Sequence, residues 1–126
     1  MMTGFRKDDR KQLGKLGEDL AETFLSENEH RIVARNWRCR TGELDIIAEQ
    51  ANTLIFVEVR TRRPSGRFGT AKESVDIRKQ VKVRETAQFY LHRYQKYEQS
   101  IRFDVITVEV SMDGAVPHIE HIKGAF

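Results

Sequence analysis

The chain has 126 residues, 39% hydrophobic and 33% charged, which is one domain's worth of sequence with enough apolar side chains for a core. No apolar run approaches the ~18–20 residues that span a bilayer. The charged start MMTGFRKDDRKQ lacks a signal peptide's apolar centre, and the single cysteine, Cys39, excludes an internal disulfide. The expectation is one domain over residues 1–126 in a reducing, cytoplasmic compartment. A net charge of +3 is too small by itself to argue for nucleic acid.

Residues 9 to about 28 read as a helix, with Leu13, Leu16, Leu20 and Phe24 recurring at spacings of three and four. Gly14, Gly17 and Ala21 lie beside that stripe and would admit a close neighbour, with Glu18 at the edge, turned inward or left on the surface. His30–Arg40 reads as a strand with Trp37 as its anchor. Glu43–Ala48 and Leu54–Thr61 are stronger strands, rich in Ile, Val and Leu, joined by the polar Glu49–Thr53.

Alternation along a strand puts Glu43, Asp45 and Ile47 on one face and Leu44, Ile46 and Ala48 on the other. A hairpin folded symmetrically about residues 51–52 sets Asp45 opposite Glu58, with Arg60 two residues on. Two facing carboxylates repel unless a proton or a cation intervenes. An exposed network with arginine satisfies them. So does Mg²⁺ or Mn²⁺, which prefers oxygen ligands and keeps waters beside one or two carboxylates.

The segments RTRRPSGR (60–67) and RKQVKVR (78–84) concentrate basic residues, as solvated surface or as a rim that contacts phosphate. Thr70–Tyr97 reads as a second helix, with Val83, Ala87, Tyr90, Leu91 and Tyr94 on one face. Ile101–Val110 is a further strand. Asp113–Gly114 suits a hairpin turn, and a last short strand follows around Val116–Ile122. His118 and His121, three apart in that strand, point to opposite faces and read as structural. The order α–β–β–β–α–β, with a terminal strand, implies a mixed sheet flanked by helices.

The motifs GKLGE at Gly14–Glu18, GELDIIA at Gly42–Ala48, FVEVRTR at Phe56–Arg62, RFDVI at Arg102–Ile106 and HIKGAF at His121–Phe126 resemble the YraN family of bacterial proteins. That family is similar to the PD-(D/E)XK nuclease superfamily, in particular archaeal Holliday-junction resolvases. The resemblance implies a restriction-endonuclease-like α/β core and a metal-dependent endonuclease that hydrolyses DNA phosphodiester bonds. It implies catalytic Glu18, Asp45, Glu58 and Arg60, with Mg²⁺ or Mn²⁺ held by Asp45, Glu58 and the Val59 carbonyl. In such a nuclease the basic segments, with Arg62, Arg63, Arg67, Lys72, Arg78, Lys79 and Lys82, would grip the DNA backbone. A homodimer is an expectation, since cutting both strands of a symmetric junction needs two sites.

Leu44 stands where the superfamily has proline, and Arg60 where it has lysine. Arginine keeps the charge but does not act as a general base; Lys72 or Lys79 could reach the site instead. The alternative is a catalytically weak or inactive nucleic-acid-binding module on the same fold, and a third reading is a scaffold for another protein.

Overall fold

The computed structural model describes residues 7–63, 74–111 and 113–126. It runs α1 (Lys7–Glu27), β1 (Arg31–Cys39), β2 (Gly42–Gln50), β3 (Thr53–Arg62), α2 (Ile77–Tyr94), β4 (Ser100–Glu109) and β5 (His118–Ile122). The strands form one sheet in the order β1-β2-β3-β4-β5. Only β3 and β4 pair in parallel, because α2 carries the chain back across the sheet between them. This is the mixed sheet flanked by helices, in the α–β–β–β–α–β order expected from the sequence, with β5 added at the edge. Among the described residues no helix is long and apolar enough to cross a membrane.

Among the described residues each face of the sheet holds one helix. Ala21 and Leu25 of α1 pack on Ile46, Ala48, Ile55, Val57, Ile106 and Val108. On the other face Val83, Ala87, Tyr90 and Leu91 of α2 cover Leu44, Ile47, Leu54, Phe56 and Phe103. The buried line on α1 is Gly17–Ala21–Leu25 and not the leucine stripe, whose Leu16 is 41% exposed. The reason is steric. A Cβ at Gly17 would lie 1.7 Å from Thr61 Oγ1 and 2.7 Å from Thr61 Cβ, so the helix sits on β3 more closely than a side chain permits. Gly14 has no such neighbour.

α1 ends where Glu29 takes φ +64° and the His30 N–H closes on Leu25 O at 2.9 Å. α2 begins at Ile77, not at Thr70; residues 70–73 lie outside the described ones. Asp76 caps it, its Oδ1 accepting the Lys79 N–H at 2.8 Å. Trp37 does anchor β1: its ring meets Tyr90 edge-on at 5.3 Å, and Nε1 lies 3.3 Å from the Tyr94 hydroxyl. The link between β4 and β5 is longer than a two-residue turn, since Glu109 pairs with His118. Within it Asp113 Oδ1 accepts the Ala115 N–H.

The alternation expected for β2 does not hold. Leu44 belongs to the α2-face core and Ile46 to the α1-face core, two residues apart. Pairing with β1 skips the same place: Trp37 meets Leu44 and Arg35 meets Ile46, with Asn36 and Asp45 unpaired between them. Asn36 has φ +53°, a left-handed conformation that asparagine tolerates. The strand therefore restarts its face pattern at Asp45.

The last motif ties the chain's end to the sheet. Asp104, fully buried, accepts two hydrogen bonds from Arg102 at 2.8 and 2.9 Å, one from the Gly124 N–H at 3.0 Å, and contacts His121 Nε2 at 2.8 Å. Phe126 stacks on Phe103 at 5.3 Å, under the Arg84 guanidinium.

The Gly17 contact yields a paired test. Gly17→Ala is expected to lose about 1–3 kcal/mol from overpacking against Thr61, whereas Gly14→Ala gains up to about 1 kcal/mol of helix propensity. Urea midpoints measure both; equal shifts would remove the close-approach explanation.

Candidate functional site

The hairpin between β2 and β3 pairs Gln50 with Thr53 and continues to Ile46 opposite Val57. The next step of that register sets Asp45 against Glu58, but the ladder stops one pair short. In its place the Asp45 carboxylate accepts the Val59 N–H at 2.9 Å. The Asp45 N–H in turn supports the Glu58 carboxylate. Asp45 thus lies where β2 leaves its ladders with both neighbours, and its side chain takes over a backbone bond.

Glu58 is 2% exposed, and the Lys79 ammonium reaches it from α2 at 3.3 Å. Burial pushes the Glu58 carboxyl up to about 7, and the charge of Asp45 adds to that, against the opposing effects of Lys79 and the Asp45 N–H. Burial also pushes Asp45 up to about 6; Glu18 and Glu43 raise it further, while the Val59 N–H and Lys79 pull it down. The two acids form a strained pair with one cation between too much negative charge and too little water.

Glu18 does turn inward. Its Oε1 is 3.5 Å from Arg35, a guanidinium that also holds Asp19 at 2.6 Å. Sequence reasoning missed Asn36. With its amide nitrogen turned to the acids, it lies 2.9 Å from Glu43 Oε1 and 3.1 Å from Glu18 Oε1, bridging them. An asparagine inside an otherwise extended run was the available signal, because its left-handed backbone aims the amide across the strand gap. The strand pattern marks Glu43 only as a neighbour of Asp45. Arg38 holds it at 2.8 Å.

The other expected residues are dispersed. Arg60 is exposed and, among the described residues, makes no ion pair with Asp45 or Glu58; Lys79 makes that contact instead. Val59 meets Asp45 through its N–H. Arg62 pairs with Glu109 at 3.4 Å, and Arg63 lines a small cleft with Asp9 and Val110. Arg78 and Lys82 are exposed on α2, while Arg67 and Lys72 lie outside the described residues. His121 is committed to Asp104 and His118 is exposed, so neither joins the acids.

The donor set fits a hard divalent cation in part. Two crowded carboxylates with raised pKa values are relieved by Mg²⁺ or Mn²⁺ as they are by a proton. Among the described residues no three acid, histidine or cysteine side chains lie close enough to hold an ion together. Asp45 and Glu58 would therefore supply two ligands and leave the remaining positions to water.

The raised pKa values have a sign for stability. Each carboxyl binds its proton more tightly folded than unfolded, so the pair is neutral and harmless below about pH 4. Its penalty grows as pH rises and is complete above about 7. Glu58→Gln is expected to be more stable than the parent at pH 8, on the order of 2 kcal/mol, with the advantage gone at pH 4. Denaturation at the two pH values measures this. A difference that is the same at both would show that the pair is not strained.

A profile of the family described as "Uncharacterised protein family UPF0102" matches residues 17–108. The UPF0102 protein of Nocardia farcinica is 47% identical over 121 residues, covering 96% of this chain and 94% of its own. That of Moorella thermoacetica is 44% identical over 117 residues, covering 93% and 97%. Among solved structures, Pyrococcus furiosus SfsA in complex with Ca²⁺ is similar with a TM-score of 0.37 at 15% identity. That match covers 91% of this chain but 64% of the other, a likeness too slight to argue from. The chain belongs to the UPF0102, or YraN, family, and the matched span contains Glu18, Asn36, both hairpin acids and Asp104.

Proposed function

We propose that this protein is a metal-dependent endonuclease acting on DNA, with branched or processed DNA as its substrate class. The observation that carries this reading is the buried Asp45–Glu58 pair, both carboxyls raised and served by a single lysine. A structural ion pair would be balanced, whereas this site has carboxylate left over for a ligand. Bound Mg²⁺ or Mn²⁺ supplies Lewis-acid stabilisation of charge at a phosphoryl group.

The chain's own residues do the rest. Asp45 is fixed by the Val59 N–H, so its free oxygen is held in place without a rotamer to lose. Glu18, braced by Asn36 and Arg35, orients water at the edge of the pair. Lys79, its side chain 42% exposed, can leave Glu58 for a phosphate oxygen. In this it takes the part that the resemblance gives to a lysine on the strand. Arg60 braces the phosphate from outside, Arg62, Arg63, Arg78 and Lys82 are further backbone contacts in this reading, and Arg67 and Lys72, outside the described residues, belong to the same proposal.

A second reading, a nucleic-acid-binding module that does not cut, has one observation in its favour. The Lys79–Glu58 contact gives one of the acids a counter-charge that needs no divalent ion.

The experiment incubates the protein with single-stranded, duplex, flap and four-way-junction DNA in Mn²⁺, beside Asp45→Ala and Glu58→Ala. Cleavage by the parent that both variants lose is the expected result; cleavage that persists in them is contamination and refutes the assignment. In parallel, Mn²⁺ is expected to raise the parent's melting temperature more at pH 8 than at pH 5, because protons compete for the same oxygens. Salt-sensitive binding with neither cleavage nor a Mn²⁺ shift selects the second reading.

A further inference from the structure

We infer that the cleft between α1 and the β1–β2 edge of the sheet is a surface for the phosphodiester backbone of one nucleic-acid strand, reaching the acid pair from the face opposite Lys79. This rests on the nuclease reading and adds to it the path of the strand, which the basic segments 60–67 and 78–84 do not include.

The cleft measures ≈ 610 Å³, and its lining includes Lys11 and Lys15 on the helix, Arg38 on β1, and Asn36 with Glu18 and Glu43. Its rim is cationic, and those cations are weakly held. Lys11 is exposed and has no partner among the described residues. Lys15, its side chain 74% exposed, has a 3.3 Å contact with Asp19 one helical turn away. Arg38, 75% exposed at its side chain, leans on Glu43. Exposed pairs of this kind contribute about 0–1 kcal/mol, so a phosphate can displace the carboxylate at little cost. Arg35 behaves differently: it is mostly buried and tied to Asp19, Glu18 and Glu22, which makes it part of the floor.

The floor sets where a phosphodiester can lie, since its carboxylates repel phosphate and leave the cationic rim as the track. Glu18 and Glu43 lie on it, joined through Asn36, and both carboxylates act on the charge of Asp45. A strand laid along Lys11, Lys15 and Arg38 would place its backbone in the same cleft as Glu18. The cations hold the phosphate oxygens while the acids stay on the side of the pair.

The test uses a fluorescein-labelled oligothymidylate in EDTA, with anisotropy read over a series of KCl concentrations. The variant Lys11→Gln/Lys15→Gln/Arg38→Gln is expected to bind about 10-fold or more weakly. Its plot of log affinity against log salt should be shallower by about 2, the loss of three phosphate contacts on a single strand. A second measurement needs no variant: bound oligothymidylate should protect Lys11 and Lys15 of the parent from an amine-acetylating reagent, read by mass spectrometry. Parent-like affinity and slope in the variant, or lysines acetylated equally with and without the strand, overturn the inference. Cleavage by the parent would then still stand. A parent that binds no DNA of any form overturns this inference together with the reading it rests on.

Discussion

Burying two carboxyl groups beside each other is costly, and the architecture around residue 45 is organised by that cost. Asp45 sits where β2 has released its backbone bonds to β1 and to β3, so its side chain rather than its peptide group meets Val59. Asn36 bends opposite it, which draws Glu18 and Glu43 together on the α1 side. Lys79 comes down from α2 on the other. Regular pairing through Asn36 and Asp45 would have given two tidy ladders and no reason for these five side chains to converge.

Asp104 shows what the same fold does with an acid it intends only to hold. Burial alone would raise that carboxyl as well. Contacts from His121, Arg102 and the Gly124 N–H override the effect and hold it near 2. Its contribution to stability is present above about pH 4 and is lost only as pH falls through the folded value. Asp45 and Glu58 have the opposite sign over a higher range. The difference lies in compensation: Asp104 has contacts enough to offset its burial, whereas the Asp45–Glu58 pair shares one lysine and its burial still prevails.

Much of this was legible in the sequence. The order of elements, the hairpin centre at residues 51–52 and the nearness of Asp45 to Glu58 follow from apolar periodicity and turn composition, which are local properties. The basis for Lys79 was also visible, as a lysine on the following helix that could stand in for Arg60. What failed was what depends on tertiary contact. The leucine stripe of α1 looked like its buried face because a glycine carries no hydrophobic signal, yet Gly17 against Thr61 decides how the helix lies. The face pattern of β2 was extrapolated through Asp45 because alternation carries no mark of where a ladder lets go. Asn36 escaped notice for the same reason.

That break has a consequence for how β2 serves both sides of the sheet. Beyond Asp45 toward the turn, Ile46 and Ala48 face α1 while Ile47 faces α2. Before it, Leu44 fills the α2 core, and Glu43 is released to the α1 side beside Glu18. With uninterrupted alternation, Leu44 would turn toward α1 with Ile46, and Glu43 would face the apolar α2 core with Ile47, at the cost of burying a charge there. The reset lets one strand close the hydrophobic core on one face and contribute an acid to the cleft on the other, with the residue at the pivot left to the site itself.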